Sequence, residues 1–185
     1  FLPLLGAHQV ENLQTALVGL SLLKDELRWP DIRRGIQNTR WEGRLDVVSE
    51  QPLTIVDGAH NVEGVATLAA FMKDIKRKDV LVLGLKKGRD VKPFTELAQQ
   101  FSKVVVTEGT FMPEAAEKVA RRLEYSDVHI ALTVSDALSE ARRLSPDGTV
   151  LITGSLYLVA DALAVLRSKM ALPLSERQKR TTISA

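Results

Sequence analysis

The chain has no cysteine. That absence excludes a disulfide framework, a thiolate nucleophile and a cysteine-ligated zinc site, and it fits a reducing, cytoplasmic location. No apolar run approaches the roughly 18 residues of a membrane-spanning helix, so no transmembrane segment is expected. The opening stretch FLPLLGAH lacks the basic n-region of a secretory signal. Several motifs are missing as well. There is no G-x-G-x-x-G of a nicotinamide or flavin Rossmann turn and no G-x-x-x-x-G-K-[ST] phosphate loop. No H-E-x-x-H zinc helix, EF-hand loop or G-x-S-x-G nucleophile elbow occurs. Charge of one sign is not in large excess either, with 25 basic residues against 23 acidic ones. A nucleic-acid partner would call for a basic stripe on the folded body. Here the surplus gathers at the end, where Arg167, Lys169, Arg177, Lys179 and Arg180 face only Glu176. Neither a nucleic-acid nor a membrane partner is expected.

What is present reads as an ordinary globular chain. Its 185 residues are 45% hydrophobic and 26% charged, which argues against disordered and fibrous classes. That length buries a sizeable core without disulfides or structural metal. The first residue is Phe rather than Met, so the chain is expected to be a piece of something longer.

Residues 8–28 place Val10, Leu13, Ala16, Leu17, Leu20 and Leu23 at helical spacing and predict an amphipathic helix. Trp29-Pro30-Asp31 interrupts it, and Asp31 suits the N-cap of a short second helix. A polar stretch follows, with room for a short strand around 45–48. From there strand-like runs (53–56, 80–83, 104–107, 128–132, 150–153) alternate with helical stretches (61–76, 92–101, 113–123, 135–144, 156–169). Continuous Val/Ile/Leu runs suit strands covered on both faces. The alternation predicts an α/β fold with a mostly parallel, doubly wound, Rossmann-like sheet. Residues 1–38 read as the end of a preceding domain, 39–170 as one α/β domain and 171–185 as a basic tail.

In such a sheet ligands bind at the carboxyl ends of the strands, so the turns after strands are searched first. VDGAHN (56–61) gathers Asp57, His60 and Asn61 around Gly58. Asp57 suits ribose hydroxyls, and the following helix start offers N–H groups to an anion. The same residues also suit a plain capped turn. GLKKGRD (84–90) brings Lys86, Lys87 and Arg89 together, which fits either a phosphate or carboxylate site or a solvated loop. Thr153, Gly154 and Ser155 offer small donors at the last strand end. His129 alternates with Val128 and Ile130 as an ordinary strand residue. His8 and Asn12 share one face of the first helix.

In order along the chain, GAHQVENLQTAL (6–17), RWEGR (40–44), VDGAHN (56–61) and TGSLYLVAD (153–161) resemble the folylpolyglutamate synthase/dihydrofolate synthase family. That family lies within the Mur ligase superfamily of ATP-dependent, amide-forming enzymes. The resemblance extends to about Lys169. It implies that this chain is the C-terminal domain, with the last helices of the domain before it, and that a P-loop domain of the same parent precedes it. Matched motif by motif, it implies ATP contacts for Asn12, Arg44 and Asp57, and a glutamate site drawing on His60 and Ser155. No catalytic or metal-ligating residue is assigned within the chain itself.

The implied reaction passes the ATP γ-phosphate to a folate or dihydropteroate carboxylate, and the glutamate amine then displaces phosphate. Its cofactors are ATP and Mg²⁺, with the metal ligands expected in the N-terminal part. The residues suit these tasks: an Asn amide meets an adenine edge, Asp a ribose and Arg a phosphate. Without a phosphate loop the chain alone is expected to be inactive. Two alternatives stand beside this reading. One is a Mur-type ligase acting on a UDP-linked substrate, and the other is a non-catalytic α/β binding domain. Asn12 and Arg44 are expected to reach the crevice only when the preceding domain sets the angle.

Overall fold

The computed structural model describes residues 1–23 and 28–171, with side chains to residue 168. Residues 172–185, nearly all of the expected tail, lie outside them. The elements run α1 (His8–Leu22), α2 (Trp29–Asn38), β1 (Asp46–Glu50), β2 (Leu53–Asp57), α3 (Val62–Lys73) and β3 (Val80–Leu83). They continue with α4 (Lys92–Ala98), β4 (Lys103–Thr107), α5 (Ala116–Arg122), β5 (Val128–Ala131), α6 (Val134–Leu144), β6 (Thr149–Thr153) and α7 (Leu156–Ala171).

The strands form one six-stranded sheet in the order β1-β2-β6-β3-β4-β5. Only β1 is antiparallel, as an edge hairpin partner of β2, and the other pairings are parallel. Successive side chains on a strand point to opposite faces, and both faces here are packed. Ile55, Leu81, Leu83, Val104, Val106 and Leu151 bury against α3, α4 and α5. Their neighbours Val56, Val80, Val82, Val105, Val150 and Ile152 bury against α6 and α7. Right-handed crossovers explain the division. Steps from β2 to β5 advance in one direction and put α3 to α5 on one face. The return from β5 to β6 puts α6 on the other. The strand order turns back around β6, and Thr153 pairs in register with both Asp57 and Leu83. The carboxyl ends of β2, β6 and β3 therefore end level, at the sheet's switch point.

The structure corrects several local expectations. Asp31 is not the cap of α2: Arg28 holds that place, Pro30 fills the first turn, and Asp31 pairs with Arg28 and Arg34 inside that turn. Helix α5 begins at Ala116 because Pro113 and Glu114 are taken up by pairing with the 84–90 loop, where the Glu114 N–H donates to the Leu85 carbonyl at 2.8 Å. The apolar face of α1 meets neither core. Gln9 is its one buried residue; of the expected face, Leu13, Leu17 and Leu20 are half-buried, and Val10, Ala16 and Leu23 are exposed.

Candidate functional site

Three chain segments far apart in sequence meet beside the carboxyl end of β2. The turn after β2 is fixed by backbone donors: Asp57 Oδ1 accepts from the Ala59 N–H at 2.8 Å and Oδ2 from the Leu45 N–H at 2.9 Å. The Gly58 N–H donates to the Gly43 carbonyl at 2.9 Å. These bonds stitch the RWEGR loop onto the DGAHN turn. Leu45 sits at φ 44°, a left-handed conformation that costs a non-glycine residue about 1–3 kcal/mol. It is held there because its N–H serves Asp57 and its side chain is buried in the core. Gly58 admits no side chain, since a Cβ would lie 2.2 Å from Leu156 Cδ2.

The remaining turn residues divide their work. Asn61 caps α3 by accepting the Gly64 N–H at 2.9 Å. His60 Nδ1 lies 2.8 Å from the Gly58 carbonyl. A carbonyl only accepts, so Nδ1 carries a proton and Nε2 is the ring atom left for a ligand. Opposite stand His8, Gln9 and Asn12 of α1, and Arg44, whose guanidinium carbon is 5.8 Å from the Trp41 ring centre.

Together these residues line one cavity of about 320 Å³. Asn12, Arg44, Asp57 and His60 all face it. Asn12 and Arg44 do so within this chain, so the expectation that they need a preceding domain to approach is not met. The reason is the Leu45–Asp57 tie, together with the start of α1 lying against the same loop. Burial pushes the Asp57 carboxyl above its ordinary range, while the Leu45 and Ala59 N–H groups and the charges of Arg44 and His8 act the other way.

Ser155 stands at the same sheet edge but does not line this cavity. It is 7% exposed, and its Oγ accepts the Leu158 N–H at 3.0 Å as the cap of α7. Its hydroxyl proton is left over for another acceptor. The basic GLKKGRD loop is likewise elsewhere, strapped to the turn after β4 by the Lys87 N–H on the Met112 carbonyl at 2.8 Å. Lys86 Nζ lies 5.3 Å from the Phe111 ring centre, and Phe111 stacks on Tyr157 at 4.2 Å. His129 is an edge-strand residue between Asp127 and Glu140. A larger groove of about 670 Å³ runs between the N-terminal segment, β1 and α7. It is lined by Leu4, Leu5, Val47, Leu163 and Leu166 together with Arg40, Glu42, Asp46 and Arg167, and shares Trp41, Arg44 and Leu45 with the first.

Sequence reading missed His8, Gln9, Trp41 and Thr67 as lining residues. For His8 a signal existed in its helical spacing with Asn12, but spacing alone does not say what the face meets. Among the described residues no group of three or more His, Asp or Glu side chains is placed to hold a metal ion. Nor is any helix among them long and apolar enough to cross a membrane.

A mostly parallel, doubly wound sheet with polar side chains gathered beside the carboxyl end of β2 defines an α/β ligand-handling domain. Residues 43–156 match the family model "Mur ligase, glutamate ligase domain". The chain belongs to the Mur ligase superfamily through this domain, and within it to the folylpolyglutamate synthase/dihydrofolate synthase family. A probable bifunctional folylpolyglutamate synthase/dihydropteroate synthase of Haloferax volcanii is 32% identical over 167 residues, covering 87% of this chain and 20% of that protein. Folylpolyglutamate synthase of Mycobacterium tuberculosis, solved with ADP and AMPPCP, superposes with a TM-score of 0.80 at 27% identity. That match covers 90% of this chain and 41% of the other. The bifunctional folylpolyglutamate synthase/dihydrofolate synthase of Yersinia pestis, complexed with AMPPNP and a Mn ion, gives 0.73 at 27% identity, covering 83% and 38%. The chain thus spans less than half the length of each of these three relatives.

Proposed function

We propose that this chain is the C-terminal part of an ATP-dependent ligase that joins L-glutamate to folate or dihydropteroate. One observation carries the reading. Asn12, Arg44, Asp57 and His60 come from three separate segments and line a single cavity beside the carboxyl end of β2. The solved relatives with bound nucleotides and a manganese ion support it. In this reading Asn12 meets the adenine, Asp57 the ribose and Arg44 the phosphates. Each Asp57 oxygen already accepts one backbone N–H and keeps a lone pair for a hydroxyl. Arg44 suits negative charge that grows on phosphate during transfer.

The amine of the incoming glutamate must lose protons to attack the acyl phosphate. His60 holds its Nδ1–H on Gly58 and offers Nε2 to that amine as an acceptor. Ser155 caps α7 and has one O–H to donate to a glutamate carboxylate. No phosphate loop occurs in the 185 residues, and no acidic cluster for a metal is present among the described ones. The residues present do not make a Mg²⁺ site, so phosphate activation and the metal are assigned to a preceding P-loop domain of the same parent. A cytoplasmic location accords with the reducing environment in which such small-molecule substrates are handled.

The test compares this chain alone with the same chain joined to its preceding domain, given ATP, Mg²⁺, glutamate and a pteroate. Amide formation only in the joined protein is the expected result. Amide formation by the isolated chain, free of contaminating enzyme, overturns the division of labour. A joined protein that turns over only with a UDP-linked substrate overturns the folate reading.

A further inference from the structure

Gln9 is buried, at 7% exposure, on a helix whose other residues are half-buried or exposed. A buried side-chain amide must place both an acceptor and two donors. Here Oε1 accepts from Asn12 Nδ2 at 3.1 Å, and Nε2 lies 3.0 Å from His8 Nε2. An amide nitrogen only donates, so the imidazole Nε2 is the acceptor and the ring proton sits on Nδ1. The His8 ring is wedged in place. Gly6 turns at φ 95°, and a Cβ there would fall 2.6 Å from His8 Cε1 and 2.8 Å from Leu45 Cδ1. With Gln9 in this orientation the His8 tautomer and the Asn12 amide form one mutually consistent set of hydrogen bonds, whose members polarise one another.

The Asn12 end of this set is the functional part. With one Nδ2–H committed to Gln9, Asn12 is left with Oδ1 and a single N–H for the cavity. If the base presents its N1 edge, that pair matches a 6-amino purine, whose amino group donates and whose N1 accepts. On that edge a 6-oxo purine presents an oxygen where Asn12 presents its own oxygen, and an N1–H where Asn12 presents its N–H. An amide free to turn over would pair with the N1 edge of either base.

We propose that Gln9 is a positioning residue that locks the Asn12 amide in the orientation selecting a 6-amino purine over a 6-oxo purine. The inference rests on the reading that Asn12 meets the nucleotide base. It concerns a residue that the motif comparison left without a role.

The experiment measures kcat/KM for ATP and for ITP in the full-length protein that contains this chain. ITP differs from ATP only at the 6-position edge, so the ratio isolates that contact. The wild type is expected to favour ATP on the order of ten- to a hundredfold. Gln9→Leu removes the acceptor and should collapse the ratio toward unity. Gln9→Glu keeps an oxygen for the Asn12 N–H and should retain most of it, although its charge lowers affinity for both nucleotides alike. Thermal melts identify a variant that fails to fold, and Gln9→Met, which keeps the side-chain length, then takes the place of Leu. A wild type that saturates with neither nucleotide sinks the ATP reading itself. A wild type that favours ATP, beside a Leu or Met variant that favours it equally, overturns the lock alone. A Glu variant that collapses with the Leu variant also overturns it, because packing at residue 9 rather than its acceptor would then set the preference.

Discussion

The turns after β2 and β6 lie side by side at one sheet edge, and they spend their polar groups differently. After β2, Asn61 does the capping, which releases His60 to the cavity and lets Asp57 bind the RWEGR loop. After β6, Ser155 is both the small polar residue and the cap of α7, so its hydroxyl oxygen is committed. A turn of four residues can separate helix capping from ligand contact. A tighter one makes a single side chain do both. Asp57 and Ser155 are therefore expected to fail in distinct ways when removed.

The largest effect is expected at Asp57. Asp57→Ala strands the Leu45 and Ala59 N–H groups in a buried site and frees the strained Leu45 turn, at a cost of roughly 2–4 kcal/mol. The melting temperature should fall by about 5–15 °C, with ATP binding lost alongside. An Asp57→Ala protein that melts like the wild type contradicts the stitched-loop account.

Next comes Arg44→Ala. It removes a charge-assisted contact without touching either core, so the ATP KM should rise about ten- to a hundredfold. The glutamate KM and the melting temperature should stay near wild type, which a thermal melt and a glutamate titration check together.

Ser155→Ala sharpens the contrast. The lost cap should cost about 1 kcal/mol, and the glutamate KM should rise while the ATP KM holds. Ser155→Asn restores a cap but not the hydroxyl. If it also restores the glutamate KM, the hydroxyl has no role beyond capping.

The smallest effect concerns pH. Burial raises the Asp57 carboxyl in the folded state, so between its unfolded value near 3.9 and that raised value the folded chain binds more protons than the unfolded one. Stability from this group is full below the unfolded value and is lost as pH rises through the folded one. Asp57→Asn should remove that decline, leaving a flatter stability profile above about pH 4 in denaturant titrations. An unchanged slope means another group sets it.

Much of the sheet was legible because strands buried on both faces write uninterrupted apolar runs, as Val80–Leu83 does without error. The edge strand β1 was harder, since Asp46 and Ser49 break its pattern. Helix α1 misled for the opposite reason: Val10, Leu13, Leu17 and Leu20 keep helical spacing but belong to neither core of the sheet. At the site, Asp57 and His60 were visible as polar residues at a strand end. Gln9 was not, because its importance comes from burial and from the amides beside it, and neither is written in spacing. The commitment of Ser155 to α7 was equally hidden, since a Ser before an apolar run suits a ligand contact and a cap alike.

In the proposed function one cavity holds nucleotide contacts and an amino-acid contact side by side. Steady-state kinetics of Asn12→Ala and His60→Ala in the full-length protein test it most directly. The account predicts a split, with Asn12→Ala raising the ATP KM alone and His60→Ala lowering turnover and raising the glutamate KM while ATP saturates normally. Glutamate kinetics untouched in His60→Ala would contradict it and return that histidine to the role of a turn residue.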